Sequence, residues 1–528
     1  MGITNKSLKI LLDHIDANEL VLPEIQRDFV WSKKNVLLLF DSLYRGLPIG
    51  YMLVWQAKIA VAHKGFGVKK KIKIGQAVDN FYGYLLDGQQ RLTAIKLVRD
   101  RDEKYPLVFA LDSPEKENPE MGRFHYRARW NNNPFYIPVS DVLSNEVKPL
   151  QILDQLKDYE GFDYNNDGEK VLASLTKLKA VMDYEVGIIN FEDSDYRKAT
   201  ELFIRFNSTG KKLNRSDLAA AELALTVPTL VSNGINRASN KFAPQFNFTK
   251  PFLIQCLAGV HTSKMNFANP RDIWDGSDEK ALKNSWKKTE KGLGRTVELL
   301  TGTVKWDSIN WLPSINSIIP LVYLFSQHKF SRDERITARK WLLTANIFAI
   351  FSGAVHSELD RILRGLKHEP NVDKLWSLTK RHFYKIKPEH FDSPRKTGGA
   401  MAFFISMIRN RNAKDWEKET SLGGDVIGHN AQLQVHHFFP RALLQKEGYK
   451  SELINTLANY VIINKQTNLE ISSKEPAEYI KEIGIKKMHL KSQCIPIKKE
   501  LWTVDRYKDF LNERRRLLAN QANSFMKS

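Results

Sequence analysis

The sequence predicts a multidomain α+β protein, and three observations lead to that fold class. At 528 residues the chain is too long for a single hydrophobic core. Short β-rich runs mixed with helical stretches fill the first 220 residues. Long helical periods with few strand signals then run from about 221 to 420, and a smaller α/β pattern occupies 421–528. The expected division is therefore 1–220, 221–420 and 421–528.

In the first region, "IGYMLVW" (Ile49–Trp55), "YPLVFAL" (Tyr105–Leu111) and "YEVGIINF" (Tyr184–Phe191) read as strands. The middle region is typified by "ARKWLLTANIFAIFSGAVHSELDRILRGL" (Ala338–Leu366), an extended helical period. Gly and turn formers in "KETSLGGDVIGHN" (Lys418–Asn430) mark the clearest linker. The last region closes on a basic helix, "DRYKDFLNERRRLLANQANSFM" (Asp505–Met526).

Composition narrows the function classes. With 42% hydrophobic and 27% charged residues the chain has the make-up of a soluble globular protein. No apolar run is long enough to span a bilayer. The best candidate, Trp341–Val355, is broken by Thr344, Asn346 and Ser352. The N-terminal stretch lacks a signal-peptide core, and only Cys256 and Cys494 occur, so no disulfide framework or cysteine zinc site is expected. The chain reads as cytoplasmic, with no membrane partner. Eighty Lys and Arg against 60 Asp and Glu give a net charge of +20, which favours a polyanionic partner. Runs at Lys69–Lys73, Lys486–Lys491 and Arg514–Arg516 share that surplus. From Asp425 onward there are 17 basic and 11 acidic side chains, so the charge is spread and forms no terminal arm.

The densest chemistry lies in "LQVHHFFPRALL" (Leu433–Leu444), followed by "NTLANYVIINKQTNLEISSKEPAEYI" (Asn455–Ile480). Adjacent histidines end a β-type run, Asn459 follows His437 by 22 positions, and Asn468 follows Asn459 by 9. Phosphodiester hydrolysis needs a base for water and a divalent cation on the scissile phosphate, and imidazoles serve both roles. With these spacings the region resembles the HNH (ββα-metal, His-Me finger) nucleases, closest to the branch in GmrSD-type modification-dependent restriction endonucleases. The resemblance implies His436 and Asn468 as metal ligands, His437 as general base and Asn459 as the residue orienting it. His436 stands where many members carry Asp or Glu, which leaves the metal between Mg²⁺ and Mn²⁺. Arg441 and Lys465 are basic residues near this text, able to clamp phosphate or simply solvated.

The resemblance extends to "LPEIQRDFVW" (Leu22–Trp31), "LLDGQQRLTAI" (Leu85–Ile95) and "LFIRFNSTGKKLNRSDL" (Leu202–Leu218). These are similar to the three signature stretches of that family's N-terminal domain, of the ParB/sulfiredoxin-like group, which implies nucleoside triphosphate binding with GTP or ATP unresolved. Read physically, Asp87 is an expected N-cap and Gly88 a tight turn from strand into helix. Gln89, Gln90 and Arg91 fill a first turn suited to an anion. Gln26 and Arg27 precede Ser32, the expected cap of a second helix, and Phe29 is placed to stack on a base. Asn207 and Gly210 would shape a nearby loop. "STGKKL" lacks the upstream glycine and the Ser or Thr of a Walker A loop, so a P-loop is rejected. Asn214 or Ser216 would cap the next helix, and Asp217 would either hold a cation or an Arg or be only a first-turn acid.

The expected function is a metal-dependent endonuclease acting on DNA, modified DNA included, with an NTP-binding sensor that controls an HNH nuclease. A single site makes one nick per encounter, so a double-strand break would call for a homodimer or a second event. The alternatives are a nucleotide-controlled DNA-binding regulator with a structural HNH fold, and an RNA-directed nuclease.

Overall fold

The computed structural model describes residues 2–527 except 25, 27–28, 58–62, 67–80, 112–121, 127–132, 145, 160–161, 194, 209–214, 228, 266–272, 384, 393–397, 418 and 423–432. Arg27, Gly210, Asn214, the Lys69–Lys73 run and most of the Lys418–Asn430 linker lie outside the described residues, as do the side chains of Asn207, Ser216 and Asp217. The chain divides into two compact units, 1–233 and 234–528.

The first unit is built on β1 (Gly2–Ser7), α1 (Leu8–Asp16), β2 (Leu20–Pro23), α2 (Lys33–Tyr44), β3 (Met52–Gln56), β4 (His63–Lys64), β5 (Gly83–Asp87), α3 (Gln89–Arg99), β6 (Leu107–Ala110), β7 (Phe124–Tyr126), β8 (Tyr136–Pro138) and β9 (Glu185–Glu192). The three runs expected as strands form β3, β6 and β9. A six-stranded mixed sheet has the order β1-β9-β3-β5-β2-β4, and β7-β6-β8 form a small antiparallel sheet. Leu11, Leu12, Phe40, Met52, Leu85, Leu92, Ile95 and Ile188 share one core between sheet and helices. Burying each such side chain contributes about 1.5–3 kcal/mol. Ser32 caps α2 as the sequence suggests: its Oγ accepts from the Asn35 N–H at 3.3 Å, and Asn35 Oδ1 accepts from the Ser32 N–H at 3.2 Å.

The topology puts β5 inside the large sheet, antiparallel to β3 and parallel to β2. Its carboxyl end therefore opens from the middle of the sheet, and α3 starts directly there. Crevices outside the carboxyl ends of sheet strands are where ligands bind in open α/β folds.

The second unit begins with helices and, among the described residues, contains two named strands. Helices Lys250–Thr262, Glu279–Glu298 and Ile319–Gln327 pack together, and Arg332–Ile347 packs on Gly399–Asn410. The apolar stretch Trp341–Val355 is divided between the end of one helix and turns before the next. Among the described residues no helix is long and apolar enough to cross a membrane. β10 (Leu433–His437) pairs antiparallel with β11 (Tyr460–Asn464), and the helix Lys465–Ile471 follows without a gap. Phe438, Phe439, Val461, Ile463, Tyr479 and Phe510 pack beneath this ββα unit. The C-terminal helix Tyr507–Lys527 lays Phe510 flat on Phe438, ring centroids 4.7 Å apart. Cys256 and Cys494 are both buried.

Candidate functional site

At the start of α3 the chain must turn sharply out of β5. Gly88 holds φ +98°, and a Cβ there would lie 2.7 Å from Met52 Cγ, so only glycine fits. Gly88 is also the N-cap residue, with no side-chain cap; Asp87, expected in that role, is the last residue of β5. The difference is one position, and its cause is the left-handed glycine that ends the strand. Asp87 instead accepts from Arg91 Nη2 at 2.7 Å.

The rest of "DGQQR" is tied into the fold. Arg91 Nη1 donates to the Ile49 carbonyl at 2.5 Å and Nη2 to the Tyr51 carbonyl at 2.9 Å. Gly50 between them has φ +83°, and a Cβ there would stand 3.0 Å from Arg91 Nη1. Gln90 Oε1 accepts from the Val30 N–H at 2.8 Å. Gln26 Nε2 donates to Leu85 O at 3.0 Å and Leu86 O at 2.6 Å. Gln26, Gln89 and Gln90 are all buried. The two sequence stretches thus meet as one construction, in which amides and guanidinium lace the segment before α2 and the loop before β3 onto β5 and α3. Each neutral hydrogen bond of this kind contributes about 1 kcal/mol. The other end of α3 is fixed by Lys96 and Arg99, which bond both Asp16 and Asp100. Burial works against ionisation of Asp16, but the hydrogen bonds and charges of Lys96 and Arg99 outweigh it and hold its carboxyl below the usual range. At its start α3 also has first-turn backbone N–H groups without a partner inside the helix, at the positive end of the helix dipole.

The second constellation lies at the end of β10. The rings of His436 and His437 are 6.4 Å apart with planes at 76°. Strand register sets His436 opposite Val461 and His437 opposite Tyr460. His437 Nε2 lies 3.1 Å from Asn455 Oδ1. The amide of Asn455 is oriented by its own Nδ2, which donates to Ser451 Oγ at 3.0 Å. An oxygen facing Nε2 favours the neutral tautomer with hydrogen on that nitrogen and the lone pair on Nδ1.

Asn459 is fully buried and does not touch the ring. Its Oδ1 accepts from the Phe439 N–H at 2.9 Å, and its Nδ2 donates to Phe439 O at 3.2 Å and Ile454 O at 3.1 Å. Asn459 O also accepts from the Phe438 N–H at 2.7 Å, and Tyr479 Oη donates to Phe438 O at 2.8 Å. Asn459 thus positions His437 through the backbone behind it, while Asn455 sets the ring. Asn468 is half-buried on the Lys465–Ile471 helix, which packs against both strands. Among the described residues no three His, Cys, Asp or Glu side chains are grouped to hold a metal ion.

Comparison with known proteins places the N-terminal part. The family described as "GmrSD restriction endonuclease, N-terminal domain" matches residues 8–224. Residues 8–224 are similar to that domain family. Over a longer span the chain is similar to an uncharacterized protein of Methanocaldococcus jannaschii, 21% identical across 90% of this chain and 87% of the relative.

The matched segment contains Gln26 and Asp87–Arg91, with Arg27 and the Asn207 side chain among residues not described. Downstream of it, two residues that the motif reading did not single out shape the ββα unit. Asn455 is one. The other is Asp415, fully buried, whose Oδ1 accepts from the Asn464 N–H at 2.8 Å and whose Oδ2 accepts from Thr467 Oγ1 at 2.7 Å. Asn464 in turn caps the helix by accepting from the Thr467 N–H at 2.9 Å. Asp415 therefore fixes the joint between β11 and the helix that carries Asn468. Locally it accepts from the Glu417 N–H at 3.2 Å, an ordinary turn contact, while the partners at the joint lie about 50 residues on. Asp415→Ala is expected to cost about 2–4 kcal/mol, since a buried carboxylate's hydrogen bonds are lost and their donors stranded. Asp415→Asn should recover part of that. A denaturant midpoint for each, with hydrogen exchange at the Asn464 amide, checks the order; equal midpoints for parent and Asp415→Ala would refute it.

Proposed function

We propose that the chain is a metal-dependent DNA endonuclease of the restriction type, with an HNH-type centre at His436–His437 and an N-terminal GmrSD domain of ParB/sulfiredoxin-like fold. That domain binds a nucleoside triphosphate, senses modified or foreign DNA, and controls the nuclease. The observation carrying this reading is the ββα unit whose strand ends in adjacent histidines, one with its tautomer set by Asn455.

His437 Nδ1 takes the proton from a water as that water attacks phosphorus. A new P–O bond forms as the bond to the leaving ester oxygen breaks. Asn455 keeps the lone pair on the attacking side, and Asn459 holds the backbone that aims the ring. His436 and Asn468 are neutral donors that suit a hard divalent cation such as Mg²⁺ or Mn²⁺ keeping several waters. Such a cation supplies charge neutralisation at the scissile phosphate. With no carboxylate among these ligands, the phosphate itself would balance much of the cation's charge, so tight metal binding should await substrate. On the N-terminal side, the backbone N–H groups opening α3 suit a nucleotide phosphate better than Gln90 or Arg91, whose side chains are held internally.

The test is supercoiled plasmid, unmodified and base-modified, incubated with Mg²⁺ or Mn²⁺ and with GTP, ATP or neither. Nicked or linear product that disappears with a chelator is expected. Linear product without a nicked precursor would indicate two centres acting together in a homodimer. Binding without cleavage under every condition would favour a nucleotide-controlled regulator, and cleavage of RNA alone would move the reading to an RNA nuclease.

A further inference from the structure

The helix Glu279–Glu298 carries more lysines than its packing explains. Leu282, Trp286, Thr289 and Leu293 form its buried face. Lys280, Lys283, Lys287, Lys288 and Lys291 are all exposed. At 3.6 residues per turn, Lys280, Lys287 and Lys291 fall within an arc of about 40°, flanked by Lys283 and Lys288. They line about 16 Å of helix, the rise of about five phosphates of one DNA strand.

Several basic residues in the same unit are paired with acids. Arg361 and Arg381 bond Glu358, Arg364 bonds Asp360, Lys374 bonds Glu369, Lys486 bonds Glu419, Arg515 bonds Asp392 and Arg516 bonds Glu513. On this helix Lys283 pairs with Glu279, whereas Lys280, Lys287, Lys288 and Lys291 have no acidic partner among the described residues. Of the nearby acids, the Asp278 carboxylate caps the helix, Glu279 is taken by Lys283, Glu298 lies two turns beyond Lys291 toward Arg335, and the half-buried Glu290 on the same helix forms no ion pair with these lysines among the described residues. Like charges three and four residues apart repel, so the row works against helix stability.

We infer that this lysine row is a sequence-independent binding surface for the phosphate backbone of duplex nucleic acid, distinct from the His436–His437 centre. The inference rests on the proposal that the chain acts on nucleic acid. Several phosphates along one strand meet several ammonium groups along one helix face, and their counterions are released on contact. No base is read, so the surface raises affinity for every sequence equally.

The test is binding of a fluorescent random-sequence duplex to the full chain carrying His437→Ala, across a range of salt. The triple substitution Lys280→Gln, Lys287→Gln and Lys291→Gln should weaken binding and flatten the plot of log affinity against log salt by about 0.9 per lysine lost. The loss should be alike on unrelated sequences. Lys104→Gln, Lys170→Gln and Lys179→Gln together remove the same charge from the other unit and should leave the slope unchanged. An unchanged slope in the first triple, with parental binding intact, overturns the lysine surface and leaves the nuclease proposal standing. Equal flattening in both triples also overturns it, since net charge would then be the cause. A parent that binds no duplex at any salt overturns the surface and the nucleic-acid partner together.

Discussion

His437→Ala is expected to reduce plasmid cleavage by roughly 10²–10⁴-fold while leaving duplex affinity and the unfolding midpoint near those of the parent. The size follows from what the ring does. It is half-buried at the end of β10, and its Nε2 lies 3.1 Å from Asn455 Oδ1, so in the proposed mechanism the other nitrogen would take the proton. The fold hardly depends on the ring, because Phe438 and Phe439 behind it are held by Asn459 and Tyr479. Removing the imidazole should therefore take away the proposed base and little of the fold. Asn455→Ala in the same assay should give an intermediate loss with an altered pH profile, since the ring keeps its place but loses its fixed tautomer. Parental cleavage by a clean His437→Ala preparation would end the assignment.

Arg514→Ala is expected to destabilise the second unit by about 3–5 kcal/mol, among the largest single-residue effects in the molecule. Arg514 is fully buried on the helix Tyr507–Lys527. Its Nη1 donates to Ala458 O at 2.8 Å, and its Nη2 donates to Tyr460 O at 2.5 Å and Gln493 O at 3.3 Å. Burial pulls its pKa down to about 10, yet it stays protonated at neutral pH because those carbonyls replace lost water. Alanine strands three carbonyls and leaves a void. Arg514→Met fills the void and removes the buried charge, so it should cost less than alanine but still more than a surface change. Arg514→Lys should not restore the parent, since one ammonium cannot span carbonyls on both sides of Asn459 as a planar fork does. Thermal unfolding followed by tryptophan fluorescence ranks the three; an alanine variant as stable as the parent would show that the contacts are incidental.

These sites show what was legible in the residues. The strands at Met52–Gln56, Leu107–Ala110 and Glu185–Glu192 announced themselves through apolar and β-branched runs, and Ser32 through its capping pattern. The sequence also suggested that Gln26 and Gln90 belong to one construction, and they do. It did not show that their amides and Arg91 are engaged inside the fold, because the partners are backbone groups of Leu85, Leu86, Val30, Ile49 and Tyr51, which carry no side-chain signature. The "RRR" run misled in the same way. Arg514 is core, while Arg515 and Arg516 are paired with Asp392 and Glu513, so its charge adds little to a polyanion surface. Asp415 and Asn455 are ordinary residues in ordinary text, and only the tertiary fold brings them to the joint and to the ring.

Arg514 has one more consequence, for timing. Ribosomes deliver Ala458 and Tyr460 roughly fifty residues before the guanidinium that their carbonyls require. During that interval the histidine-bearing hairpin exists as a chemical sequence but lacks the brace that holds its second strand. A chain still in synthesis thus carries this hairpin unbraced until the helix Tyr507–Lys527 has emerged.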